Sequence, residues 1–236
     1  MDEFLSRTEM LFDKQGISRL KSSSVAVFGA GGVGSYAIEA LARCGIGRIG
    51  IVDSDVVCTS NINRQLYALH STVGKLKVDV AEERIKDINP CAVVDKYPFF
   101  YDRESFERID LSTYDYIVDA IDSMDSKVLL ISQAKKLGVG IVSALSAGNK
   151  LDPASFEVAD IYSTSVCPIA KILRKRLRDE QIPSLKVVYS KEPPAKRLKK
   201  EESDTGKSCV GSVSFVPSVM GLMLAGEVIK DIVERD

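Results

Sequence analysis

Six consecutive residues, Gly29-Ala30-Gly31-Gly32-Val33-Gly34, restrict what this chain can fold into more than any others. They follow a β-branched run, Ser24–Gly29 (SVAVFG), and lead into Val33–Cys44, whose apolar residues recur at helical spacing. Glycines between a strand and a helix turn the backbone tightly and let it approach a bound group. They also leave N–H groups exposed at the positive end of the helix, which is a site for phosphate. Twenty-four residues after Gly29, Asp53 ends the next strand-like run, Arg48–Asp53 (RIGIVD). A carboxylate in that position can accept hydrogen bonds from ribose hydroxyls.

The remainder of the chain extends this βαβ unit. Lys75–Ile88 places Leu76, Val78, Ala81, Ile85 and Ile88 near one helical face, and Asn89-Pro90 stops it. Ala92–Tyr97, Tyr114–Ile121 and Gly140–Leu145 read as strands, with a helix over Asp125–Leu137. The predicted architecture is α/β: a Rossmann-like, doubly wound, mostly parallel sheet with helices on both faces. All 236 residues are expected to form one domain. Within it, residues 150–212 read as an insertion-like excursion with a basic helix, Pro168–Gln181, a strand, Leu185–Tyr189, and a charged, proline-containing loop, Ser190–Lys207. Residues 213–236 read as a strand and helix returning to the core, Pro217–Val233 being apolar almost all round.

The residues after Asp53 speak to the kind of phosphate. Asp55, Asn61-Ile62-Asn63-Arg64-Gln65, Lys75 and Lys77 bring polar and positive groups to the segment that follows the ribose position. A dinucleotide carries a diphosphate and needs few cations. Triphosphate chemistry needs positive charge where the departing oxygens become more negative. Lysine at a helix N-terminus opposes the macrodipole, so Lys75 and Lys77 are poorly explained by helix stability alone. Asp122, just past a strand end, is apt for Mg²⁺, which takes one or two carboxylates beside phosphate and water oxygens.

Gly29–Gly34, Asp53-Ser54-Asp55, Asn61–Gln65, Lys77 and Asp119-Ala120-Ile121-Asp122, in that order and spacing, resemble the MoeB/ThiF/HesA, or E1-like, activating-enzyme superfamily. The resemblance implies ATP over Gly29, Gly31, Gly32 and Gly34, and a carboxylate substrate activated by it. Asp53 then resembles the ribose ligand, Asn61, Arg64 and Lys77 the phosphate contacts, and Asp122 the Mg²⁺ ligand, with Asp55 and Gln65 beside them. It also implies a homodimer in which Arg7, on an N-terminal helix, reaches the partner subunit's ATP.

Which carboxylate is activated turns on the cysteines and on the last third of the chain. Five cysteines (Cys44, Cys58, Cys91, Cys167 and Cys209) contain no CxxC pair. That weighs against a disulfide framework and against the structural zinc common in relatives that activate sulfur-carrier or ubiquitin-like proteins. For that alternative activity, Cys209 and then Cys167 are the available nucleophiles. Gly148–Pro153, Ala159–Ile161, Thr164–Ala170 and Leu185–Ser190 instead resemble the tRNA threonylcarbamoyladenosine dehydratases, described as CsdL-type. In them ATP activates a threonyl carboxylate beside the tRNA anticodon and the carbamoyl group of the same nucleoside closes a ring. That branch implies tRNA as partner and allows for a sulfur-transfer protein. The net charge of −1 disfavours a chain that is basic throughout, yet residues 171–200 hold eleven positive and three negative residues, a block of +8. No apolar run reaches the ~20 residues of a bilayer span, and Met1-Asp2-Glu3-Phe4 lacks the positive start of a secretory signal. A reduced, cytoplasmic protein without a membrane partner is expected.

Overall fold

The computed structural model describes residues 3–196 and 210–234. Short β-branched and aliphatic runs form seven strands: β1 Ser24–Phe28, β2 Arg48–Val52, β3 Val93–Tyr97, β4 Tyr116–Asp119, β5 Gly140–Ala144, β6 Phe156–Asp160 and β7 Lys186–Ser190. They make one sheet in the order β3-β2-β1-β4-β5-β7-β6. Every neighbouring pair is parallel except β6 with β7. From β1 the sheet grows through β2 and β3 on one side and from β4 outward on the other. The order therefore reverses between β1 and β4, and a crevice opens at the carboxyl ends of these two strands.

Each strand serves two cores because its side chains alternate between faces. Val25 and Val27 of β1 join one apolar cluster, Ala26 and Phe28 the other. Four helices cover the first face: α1 Ser6–Ser22, α2 Gly34–Arg43, α3 Lys77–Ile88 and α6 Phe215–Val233. The second face is covered by α4 Met124–Leu137 and α5 Pro168–Asp179. α6 buries Val216, Met220, Leu224, Val228 and Ile232, and it approaches α2 so closely that a Cβ on Gly221 would lie 2.2 Å from the Val33 carbonyl oxygen. α1 breaks at Asp13, whose φ of 56° is left-handed and whose carboxylate accepts from the Gly16 N–H at 2.9 Å.

The stretch read as an insertion supplies β6, α5 and β7, two of the sheet's seven strands among them. β6 was not anticipated. Phe156 and Val158 share one face of the strand, yet the first is buried and the second exposed, so FEVAD lacks a clean alternation, and its two carboxylates read as loop. No strand precedes α6 within residues 210–214. Much of the charged loop falls on residues 197–209, outside the described residues.

α2 and α3 are joined by Glu39. Its carboxylate accepts from Arg43 Nε at 2.8 Å, and from Arg84 Nη2 at 2.9 Å and Nε at 3.1 Å. Burial raises the Glu39 carboxyl, but the two arginines outweigh it and hold the group below its ordinary value of 4.5. A carboxyl lowered in the folded state adds stability above its unfolded pKa and loses it as pH falls through the folded value. Glu39→Gln should therefore lower the unfolding free energy by about 1–2 kcal/mol at pH ~7, and the difference from wild type should close below pH ~4. Urea titrations at the two pH values measure this.

Candidate nucleotide site

The loop from β1 to α2 is shaped by two steric requirements. Gly29 has φ of 92°, and a Cβ there would lie 2.7 Å from the Ala120 carbonyl oxygen at the end of β4. A Cβ on Gly34 would lie 1.7 Å from the Gly29 carbonyl oxygen. Neither position admits another residue. Gly31 is different: the atom nearest to a Cβ there would be Gln65 Nε2, at 3.8 Å. The protein leaves room for a side chain that the chain does not use, so Gly31 opens a cradle rather than relieving a clash. Gly32 faces the Arg64 stem and Pro217. α2 begins with neither an acidic residue in its first turn nor a side-chain cap, so its first N–H groups are open to an anion.

Asp53, just beyond β2, sits beneath this loop. Its Oδ2 accepts from the Ala30 N–H at 2.7 Å and its Oδ1 from the Asp55 N–H at 2.8 Å. Burial raises its carboxyl above the ordinary 3.8, and Lys77 and the two N–H donors oppose that rise. Lys77, the first residue of α3, is buried with its Nζ 2.7 Å from Asp55 Oδ2 and 3.8 Å from Asp53 Oδ1. The Lys77 N–H donates to the Asp55 carbonyl at 3.0 Å, which locks the start of α3 to the end of the β2 loop. Lys75 lies before the helix, exposed and 3.9 Å from Glu83.

The Asn61–Gln65 segment borders the loop from the other side. Thr59–Asn61 form a single tight turn, in which Asn61 Oδ1 accepts from the Cys58 N–H at 3.2 Å. The Asn61 carbonyl then accepts from the N–H groups of Arg64 and Gln65, at 3.0 and 2.9 Å. Arg64 Nη1 donates to the Ser60 carbonyl and to Asn63 Oδ1, both at 2.9 Å. Asn63, which the motif reading passed over, also donates from Nδ2 to the Ser212 carbonyl at 3.0 Å.

At the far side of the crevice Asp119 is fully buried and belongs to the framework. Its Oδ2 accepts from Lys127 Nζ at 2.8 Å, and that ammonium also donates to the Ala144 carbonyl at 3.0 Å. Asp122, three residues on, is exposed and leaves the helix cap to Ser123. No group of three or more His, Cys, Asp or Glu side chains assembles a metal cage among the described residues. A single carboxylate at the rim of a phosphate cradle does match what Mg²⁺ requires beside a nucleotide.

The structure thus gathers Gly29, Gly31, Gly32, Gly34, Asp53, Asp55, Asn61, Arg64, Gln65, Lys77 and the loop of Asp122 at the β1–β4 switch point. Arg7 is not among them. It is exposed on α1 and makes no ion pair with the described residues. Cys167 is buried at the start of α5, Cys58 and Cys91 are exposed, and Cys209 lies outside the described residues.

The chain matches the ThiF family over residues 5–236. It belongs to that family. The tRNA threonylcarbamoyladenosine dehydratase of Bacillus subtilis (strain 168) is 43% identical over 97% of this chain and 94% of its own length. Structures of the Escherichia coli tRNA N6-threonylcarbamoyladenosine dehydratase, TcdA, superpose with TM-scores of 0.88 for the complex with AMP and 0.85 for the complex with ATP. They are 31% and 30% identical, each covering 98% of this chain, and the chain spans 96% and 93% of theirs.

Removing the Lys77 charge should strand a buried carboxylate. In Lys77→Met the Asp53 carboxyl should rise further, at a cost of about 3 kcal/mol in stability at pH ~7. A group whose folded pKa is raised destabilises only when ionised, so the deficit should shrink as pH falls and Asp53 takes up its proton. Unfolding free energies across a pH series give the result.

Proposed function

We infer that this ThiF-family chain is a tRNA threonylcarbamoyladenosine dehydratase, an ATP-dependent enzyme of the E1-like kind. The observation that carries the reading is whole-chain similarity to relatives of that name, extending past residue 150 where the basic helix and last two strands lie. ATP supplies the phosphoryl or adenylyl group that converts a carboxylate into an activated acyl group. The nucleophile, a carbamoyl group, is already part of the same nucleoside, and such an intramolecular attack has a high effective molarity. An acyl-carrying cysteine is then unnecessary. Ring closure uses no sulfur, so a sulfur-transfer protein has no step in it.

The protein's contribution is placement and charge. Asp53 accepts from the ribose, and the open Gly31 cradle with the α2 N–H groups receives phosphate. Arg64, Asn61 and Lys77 offset negative charge on the phosphates, with Gln65 and Asp55 holding the edges of the cradle. Asp122 would hold Mg²⁺, which would supply positive charge to offset that of the phosphates. Two chains form a homodimer through α1 and α6, whose Met10 and Leu11 (83% and 82% exposed) and half-exposed Phe215 and Leu222 are costly to leave in water. Arg7 reaches the partner's phosphates from this surface.

The positive block is thinner as a nucleic-acid surface than its sum. Arg176 pairs with Asp125, Lys186 with Asp231 and Glu227, and Lys191 with Glu157. Arg174 donates to Thr164, and Arg178 lies over the Tyr162 ring. Lys171 and Lys175, exposed one turn apart on α5, make no ion pair among the described residues and carry the contact with tRNA phosphates. No helix among the described residues is long and apolar enough to cross a membrane, and a cytoplasmic location follows from the tRNA substrate.

Incubation with ATP, Mg²⁺ and tRNA carrying threonylcarbamoyladenosine should remove the mass of one water from that nucleoside. Mass spectrometry of the digested tRNA decides, and an unchanged mass with folded protein overturns the assignment. For the dimer, Arg7→Ala and Lys77→Ala are each expected to be inactive alone. Mixed under conditions of subunit exchange, they should recover about a quarter of the wild-type rate, since a mixed dimer contains one intact site.

A further inference from the structure

We propose that Asn63 is a positioning residue, whose amide fixes the aim of Arg64 and couples that arginine to the chain segment at residues 210–213. The proposal rests on the reading of Arg64 as a phosphate contact.

The amide of Asn63 has only one workable orientation. Arginine can only donate and a backbone carbonyl can only accept, so Oδ1 must face Arg64 and Nδ2 must face Ser212. On the arginine side, both bonds fall on one nitrogen. Nη1 gives one hydrogen to the Ser60 carbonyl and one to Asn63, each at 2.9 Å. Two acceptors on one nitrogen set the plane of the guanidinium. They leave the opposite edge, Nε with Nη2, without an acceptor among the described residues. That edge presents two parallel donors, the geometry that grips two oxygens of one phosphate. The Arg64 stem meanwhile packs beside Gly32 of the phosphate loop. Without Asn63, one bond to Ser60 remains and the guanidinium can swing about it.

On its other side Asn63 holds a segment that is itself clamped. Gly211, next to Ser212, donates from its N–H to Asn149 Oδ1 at 2.9 Å, and its carbonyl accepts from the Asn149 N–H at 2.8 Å. The Asn149 carbonyl accepts from the Ala195 N–H at 2.7 Å. Asn149 makes these bonds from a left-handed conformation, φ 54°, which asparagine tolerates better than most residues. The chain after β5, the chain after β7 and the approach to α6 are thus tied together at Asn149 and reach the phosphate side through the bond from Asn63 to Ser212. A side chain at the surface connects the approach to α6 with Arg64.

A double-mutant cycle on ATP binding tests this, using the full-length protein without tRNA so that the outcome does not depend on which carboxylate is activated. Asn63→Ala and Arg64→Ala should each weaken ATP roughly tenfold by calorimetry, and the double variant should be no weaker than Arg64→Ala. The unfolding midpoint of Asn63→Ala should match wild type, because the side chain is exposed. Should that variant fail to fold, Asn63→Ser, whose hydroxyl is too short to span both partners, enters the same cycle. If the two losses simply add, Asn63 does not act through Arg64 and the proposal falls while Arg64 keeps its role. If Arg64→Ala binds ATP as wild type does, the phosphate assignment of Arg64 falls and takes the proposal with it.

Discussion

The backbone of Gly29 passes so close to residue 34 that a Cβ there would stand 1.7 Å from the Gly29 carbonyl oxygen. The rest of the site depends on that closure. It turns the chain from β1 into α2 within a few residues and lowers the loop onto the end of β4, where Gly29 meets the Ala120 carbonyl. Because β1 and β4 are the pair at which the sheet order reverses, no crossover helix covers their carboxyl ends. The crevice is a product of topology, and the glycines make its floor thin enough for a phosphate to approach backbone N–H groups.

Charges are held beside this crevice by burial as much as by pairing. Lys77 and Lys127 are both nearly inaccessible, at 4% and 2% exposure, and each is matched with aspartate: Lys77 with Asp55 and Asp53, Lys127 with Asp119. Their functions differ by depth. Asp119 and Lys127 are sealed between β4, β5 and α4 and can only hold strand ends together. The Lys77 group opens outward, since Asp55 is 65% exposed on its side chain, and so the same kind of ion pair can exchange a carboxylate for an incoming phosphate. Charge pairs of this sort offer weak net stability when complete but are expensive to halve, which keeps the ammonium in place between turnovers.

Much of this was legible in the residues. The glycine loop, Asp53, Lys77 and the Asn61–Gln65 turn are adjacent in the motif, and their order alone announces a βαβ nucleotide fold. Short β-branched runs and helical spacing located most elements within a few residues of their ends. β6 escaped because its burial does not alternate and its charges read as loop, and Lys127 because its partner lies eight residues away across a strand-to-helix turn. Asn63 escaped for a deeper reason. Its partner Ser212 is 149 residues distant, and a backbone carbonyl leaves no trace of itself in a sequence. Arg7 was read from resemblance alone, and on α1 it is exposed and stands apart from the crevice.

Charge counting misled in one direction and helped in another. The positive block of residues 171–200 suggested a broad basic surface, yet five of its described cations are occupied by Asp125, Thr164, Tyr162, Glu157 and the Asp231–Glu227 pair. Within α5 the partnered cations are the three arginines, Arg174, Arg176 and Arg178, while Lys171 and Lys175 make no ion pair among the described residues. The division follows the chemistry of the two cations. Arginine's planar fork is preorganised for carbonyl, carboxylate and ring partners, whereas lysine is a mobile, strongly hydrated point charge suited to a phosphate backbone without fixed register. An enzyme that must position one nucleoside of a large polyanion gains more from a few such lysines near a rigid arginine-pinned helix than from a uniformly basic face, because sliding along the backbone would otherwise compete with the single productive pose.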